Sequence, residues 1–210
     1  MLSRKKRVYF DYSKWLGPDQ KPAKYEGAGI NISNHLSAFD LTMMLAVTWP
    51  MSSFIAKDEL RCKLFLLKDF LGVMFVKRNN QASAEDRDQL LEQIRARQIE
   101  AENGTSSPLT IFPEGGTTNG EYIISFKKGA FQTLRAVKPH FITHKTLTGT
   151  NIANGATYST IAYYVMQPFM PGLSIYDLNE MPVFEPNEYF WKNHWDGQEE
   201  KWKAYARAMQ

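Results

Sequence analysis

The sequence predicts an α/β fold in which a mostly parallel central sheet is flanked by helices. Three observations carry that expectation. Short β-prone runs alternate with helix-patterned stretches through the first half of the chain, the order that a parallel sheet with crossover helices requires. One helix carries clear start and stop signals. Finally, turn-forming segments follow the predicted strands at their carboxyl ends, the edge where open α/β sheets favour binding sites.

Gly29-Ile-Asn-Ile-Ser33 is a β-prone run that stops at Asn34-His35, and Asp40 to Trp49, rich in Leu and Met, reads as a buried helix. Ser53-Phe-Ile-Ala56 reads as a second strand, Leu60 to Leu71 as a helix with Lys63 and Lys68 outward, and Val73-Met-Phe-Val76 as a third strand. Ser83 can cap the next helix, with Glu85 and Asp86 in its first turn, Leu90, Leu91 and Ile94 as its apolar stripe, and Gly104 beyond its end. Leu109-Thr-Ile-Phe112 is a strand running into Pro113-Glu114-Gly115-Gly116. Further on, Ile161 to Met166 reads as a strand and Glu199 to Met209 as a terminal helix.

Composition narrows the function. With 210 residues, 43% of them hydrophobic and 13% aromatic, the chain can close one sizeable core but not two, so residues 29–210 are read as one domain. Residues 1–28 are read as a basic tail or lead-in: Arg4, Lys5, Lys6 and Arg7 precede any acidic residue. That run is expected to contact anionic lipid, belong to a targeting segment, or form a solvated tail. A net charge of +3 suits phosphate-bearing ligands or an anionic membrane surface and argues against a nucleic-acid binder. Cys62 is the single cysteine, which excludes an intrachain disulfide and a cysteine-based zinc cluster and makes a small buried apolar residue its simplest role. No run reaches the ~20 uninterrupted apolar residues of a spanning helix; Leu36 to Ala56 contains Asp40 and Pro50.

Three segments carry chemistry. In Asn34-His35-Leu36-Ser37-Ala38-Phe39-Asp40 a histidine precedes an aspartate by five positions. In an unbroken helix the two would point about 140° apart. Contact therefore requires His35 in the loop and Asp40 in the helix's first turns. There the carboxylate can fix the imidazole tautomer, leaving the other nitrogen to take a proton from a hydroxyl. Next, Phe112-Pro-Glu-Gly-Gly-Thr-Thr-Asn-Gly120 and Ser125-Phe-Lys-Lys-Gly-Ala-Phe131 place close glycines, able to bring backbone amides to an anion, before a basic pair. Gly72-Val-Met-Phe-Val-Lys77-Arg78 is a strand delivering two cations to its end, where Arg78 can grip a phosphate. Each segment alone also has a structural reading: a satisfied histidine, a plain turn, a solvated strand end.

In combination and order, NHxxxxD, then a glycine-hydrophobic strand ending in Arg, then FPEG, the chain from Asn31 to Phe131 resembles the glycerophosphate and lysophospholipid acyltransferase family. Phe54-Ile-Ala-Lys57, Ser125 to Phe131 and Met181-Pro-Val-Phe-Glu-Pro-Asn-Glu188 are similar to the branch that acylates lysophospholipids. The resemblance implies a single acyltransferase-like domain that moves an acyl group from acyl-CoA, a co-substrate, to the free hydroxyl of a lysophospholipid or glycerol phosphate, with no cofactor and no metal. It implies catalytic roles for His35 as base and Asp40 as its orienting partner. Asn34, Arg78, Glu114, Gly115, Gly116 and Thr117 are the implied substrate-binding set, with Glu114 orienting a cation or hydroxyl in preference to phosphate. The place implied is peripheral and intracellular, on the endoplasmic reticulum or a mitochondrial membrane.

Three departures from the family pattern stand out. Gly116 replaces the usual threonine after FPEG. The fourth motif, an apolar strand ending in proline, is faint in Ala136-Val-Lys-Pro139, with His140, His144 and Lys145 where apolar residues are expected. The upstream hydrophobic anchor has no counterpart in these residues, so attachment is expected from an apolar or basic patch near the cleft, a partner, or residues outside this chain. These departures motivate the alternative reading, a catalytically reduced lipid-binding or structural subunit of a larger membrane protein complex.

Overall fold

Strand β2 (Ile30–Ser33) is buried at all four positions, as a parallel strand covered on both faces must be. In the computed structural model, which describes residues 2–37, 40–48, 51–58, 72–76, 83–146 and 174–210, it is the central strand of seven. Chain order is β1 (Leu2–Arg7), helix α1 (Ser13–Leu16), β2, α2 (Asp40–Val47), β3 (Ser53–Lys57), β4 (Met74–Val76), α3 (Ala84–Glu102), β5 (Leu109–Ile111), a 3₁₀ turn (Lys128–Ala130), β6 (Val137–Thr146), β7 (Ser174–Glu180), α4 (Glu188–His194) and α5 (Lys201–Ala208). The spatial order is β1-β7-β6-β2-β5-β3-β4. Five strands from β6 to β4 run parallel; β7 turns back antiparallel to β6 and carries β1 parallel beside it.

Both faces of the sheet are covered. On one, Ile30, Ile32, Leu109, Ile111 and Val137 meet Ile94 of α3, Phe131, Phe184, Phe190 of α4 and Tyr205 of α5. Burying each such side chain stabilises by about 1.5–3 kcal/mol. On the other, Met43 and Met44 of α2 pack on Ile142, Tyr176 and Leu178. Gly29 is required where α3 crosses the start of β2, because a Cβ there would collide with the Gln98 carbonyl.

The helix read from Ser83 is α3. Ser83 Oγ accepts the Asp86 N–H at 3.1 Å, and the Asp86 carboxylate accepts the Ser83 N–H at 3.0 Å. Ser83→Ala keeps only the second bond and should cost about 1 kcal/mol, seen as a thermal midpoint lowered by roughly 2–4 °C. The helix expected over Leu60 to Leu71, with Cys62, and the strand expected over Ile161 to Met166 lie outside the described residues.

The basic amino-terminal run is not a tail: it is the edge strand β1. Its cations are spent on acidic partners far along the chain. Arg4 grips Asp177 with two nitrogens at 2.6 and 2.8 Å, Lys6 reaches the same carboxylate at 3.5 Å, and Arg7 and Lys5 reach Glu180 at 3.2 and 3.3 Å. Free attraction to anionic lipid is correspondingly reduced.

His140 and His144, unexpected in an apolar strand, alternate with Ile142 on the buried face of β6. Burial first, then the Lys138 charge, holds His140 far below the usual imidazole value, at about 3. Unfolded, it protonates near 6.5. Between those values the unfolded chain binds more protons, so this residue makes stability rise with pH and fall on acidification. His144, lowered chiefly by burial, acts in the same direction. From pH 7.5 to 5 the His140 contribution should amount to about 2 kcal/mol, measured by urea unfolding. In His140→Leu that part of the slope should vanish; an unchanged slope would show that the imidazole does not resist protonation.

Candidate functional site

The carboxyl ends of β2 and β5 meet at two turns, and hydrogen bonds lock one to the other. After Ser33 the chain leaves the sheet, and Asn34, itself buried, faces the side strand β6. Its carboxamide Nδ2 donates to the Ile142 carbonyl at 3.1 Å, and its Oδ1 accepts the Ile142 N–H at 2.7 Å. Such a two-way bond to backbone sets where the next residue stands. His35 then donates its backbone N–H to Glu114 Oε1 at 2.9 Å, and its carbonyl accepts the Thr118 N–H at 2.8 Å.

The His35 ring is held from two sides. One face stacks on Phe112, with centroids 4.1 Å apart and planes 16° from parallel. Its Nδ1 lies 3.0 Å from Asp40 Oδ2. Asp40 stands at the first position of α2, where a helix's positive end favours a carboxylate. Although wholly buried, it is well supplied with donors: Oδ2 accepts the N–H groups of Leu36 and Ser37 at 2.6 and 2.8 Å, and Oδ1 accepts the Ser37 hydroxyl at 3.1 Å. The five-residue spacing closes because residues 35–37 wrap around the carboxylate before the helix starts. The His35 side chain is 19% exposed, so the ring's other nitrogen can be reached from outside.

Behind Asp40, the Tyr176 hydroxyl donates to its carbonyl at 3.4 Å, and the buried His144 ring lies 6.0 Å from Tyr176. Burial lowers His144, against the pull of Asp40; burial, then Asp40, pushes the Tyr176 phenol up. Both are therefore neutral near pH 7.

The second turn explains its glycines unequally. Gly115 has φ +70°, the left-handed region, and a Cβ there would run into the Lys127 side chain. Gly116 is exposed, and a Cβ there would meet nothing within 4 Å. A threonine would fit. The turn is closed by Gly115 N–H on the Phe112 carbonyl at 3.0 Å and Lys127 N–H on the Pro113 carbonyl at 2.8 Å.

Of the residues read from sequence, the structure joins His35, Asp40 and Glu114 in one hydrogen-bonded unit, with Asn34 preceding it and bonded to Ile142 of β6, and Gly115, Gly116 and Thr117 on the adjoining turn. Asn34 and Glu114, expected to bind substrate, have buried side chains directed at the protein; Glu114 also accepts the Ile124 N–H at 3.4 Å. They place the His35 loop. Arg78 lies outside the described residues. Sequence reading missed Phe112 as a ring platform, although it adjoins the Pro-Glu-Gly turn, and missed Tyr176, for which a separation of 136 residues offers no signal. Among the described residues there is no group of three or more His, Cys, Asp or Glu placed to hold a metal, and no helix long and apolar enough to cross a membrane.

Residues 16–146 match the family model described as Acyltransferase. The chain is 35% identical over 117 residues to lysophospholipid acyltransferase LPEAT1 of Arabidopsis thaliana, covering 54% of this chain and 28% of that protein. It is 32% identical over 169 residues to lysophosphatidylcholine acyltransferase 1 of Homo sapiens, covering 78% of this chain and 29% of that protein. It thus spans less than a third of the length of either relative. A crystal structure of the 1-acyl-sn-glycerophosphate acyltransferase PlsC from Thermotoga maritima superposes on 97% of this chain and 68% of that one, with a TM-score of 0.47 and 18% identity. Because the family match runs from the end of α1 to the end of β6, and so includes both turns of the site, the chain belongs to the acyltransferase family, alongside the lysophospholipid acyltransferases it resembles.

Proposed function

We propose that this chain transfers an acyl group from acyl-CoA to the free hydroxyl of a lysophospholipid or glycerol phosphate, with His35 as general base. The supporting observation is the 3.0 Å contact between His35 Nδ1 and Asp40 Oδ2, which leaves Nε2 for the acceptor. In the step, Nε2 takes the hydroxyl proton while the hydroxyl oxygen bonds to the thioester carbonyl carbon. The C–S bond then breaks, and the imidazolium returns the proton to the departing thiolate as free CoA. Asp40 balances the imidazolium charge meanwhile. In this reading the Gly115-Gly116-Thr117 turn and Arg78 bind the acceptor's phosphate-bearing end, and the reaction takes place at a membrane surface.

The test is free-thiol release by the purified chain supplied with acyl-CoA and a panel of lysophospholipids, with the acylated lipid identified by mass. Acceptor-dependent release with matching product is the expected result. No release across the panel, from folded and lipid-supplied protein, would favour the structural-subunit reading.

A further inference from the structure

We propose that the loop from Asn119 to Ser125 is the segment with which this chain enters a phospholipid surface, carrying the His35 site to its lipid substrate. The inference rests on the acyltransfer reading for its purpose, and on the loop's own geometry for its place. Tyr122 at its tip is 77% exposed and Ile124 46% exposed. Folding offers no gain from leaving two large apolar side chains in water, one beside the other's turn.

The loop is bound directly to the site. Thr118 N–H is on the His35 carbonyl and Ile124 N–H on Glu114, the residue that also holds the His35 N–H. Its base is tied further by Lys127 N–H on the Pro113 carbonyl and by Gln210 Nε2 on the Ile123 carbonyl at 3.2 Å. A loop so fastened transmits its orientation to the catalytic turn. Within it, Asn119 Oδ1 accepts the Glu121 N–H at 3.2 Å, a tight local turn that lifts Tyr122 outward.

A bilayer fits this patch better than a protein does. A stable protein interface takes about 20–30 residues a side, whereas two side chains, one aromatic with a polar tip, are what a membrane–water boundary accepts. The segment carries little net charge: Glu121 is its one acidic residue, Lys127 and Lys128 follow it, and Lys128 pairs with Glu200 at 3.4 Å. Entry is therefore by apolar insertion, and a zwitterionic surface suffices. Val8 and Phe10, also exposed at 40% and 46%, follow β1 as it runs away from the site edge and serve as the comparison.

The experiment is flotation of the whole chain with phosphatidylcholine vesicles, alongside the thiol-release assay on a vesicle-embedded lysophospholipid and on a short-chain, water-soluble one. Wild type should float. Tyr122→Ser with Ile124→Ser should lower vesicle partitioning roughly tenfold or more, and turnover of the embedded acceptor should fall more than that of the soluble one. Tyr122→Trp should partition at least as well as wild type, with blue-shifted emission on vesicles. Val8→Ser with Phe10→Ser should float like wild type. Wild type that does not float, a loop variant that floats unchanged, or loss of flotation in the Val8/Phe10 variant would overturn the proposal. Flotation of this pattern without thiol release would leave the membrane loop standing and remove the catalytic reading.

Discussion

His35→Ala should lower acceptor-dependent CoA release by ~10²–10⁴-fold, the contribution of a positioned general base. The fold should survive. Among the described residues the ring makes one stack on Phe112 and one bond to Asp40, whereas the loop is held through its backbone by Glu114 and Thr118 and through Asn34 by Ile142. Asp40→Asn separates charge from geometry. A carboxamide oxygen can still accept from Leu36, Ser37 and His35, and its amino group can still meet the Ser37 hydroxyl, so the loop keeps its shape. What is lost is the negative charge that balances the imidazolium, so kcat should fall with little change in the acceptor's KM. Thiol release unchanged in His35→Ala would remove this residue from the mechanism. A fall in Asp40→Asn confined to KM would mean that the carboxylate serves binding and not the charged ring.

The second large effect is on stability and lies two strands away from β2, at Glu180 of β7, whose partner on β6, His140, is level with Ser33. Glu180→Ala should destabilise the chain by about 3–5 kcal/mol, because it leaves the largely buried Lys138 ammonium without the carboxylate that neutralises it. Its carboxylate is fully buried between β1 and β6, paired with Lys138 and within 3.3 Å of Lys5 and 3.2 Å of Arg7. Burial by itself would raise that carboxyl. The Lys138 hydrogen bond and charge, then Lys5 and Arg7, overcome it and hold the group below the ordinary glutamate value. A lowered folded value means stability present above the unfolded value and lost as pH falls through the folded one. Denaturant unfolding at pH 7 should show the loss, and Lys5→Met, at a half-exposed position, should cost about 1 kcal/mol or less. A loss below about 1 kcal/mol for Glu180→Ala would mean that water reaches the cluster.

Local patterns explain why some of this was legible and some was not. The alternation of strands with helices, the Ser83 cap and the turn after β5 depend on neighbours within a few residues, so periodicity and capping chemistry exposed them. The His35–Asp40 pair is of the same kind: a spacing of five excludes contact within a helix and points to a loop-to-helix junction. Tertiary structure alone decided the rest. Arg4 to Arg7 read as part of a basic tail or lead-in because the acids that neutralise them, Asp177 and Glu180, are 173 residues or so away and adjoin them only by strand pairing. The resemblance implied substrate binding for Asn34 and Glu114, and sequence could not show that both side chains face the backbone, because polar residues in a turn look the same whether they face solvent or a backbone amide. Sequence determined which polar side chains stand in the two turns; pairing of distant strands decided which of them face partners inside the protein, since most buried donors and acceptors are hydrogen-bonded there.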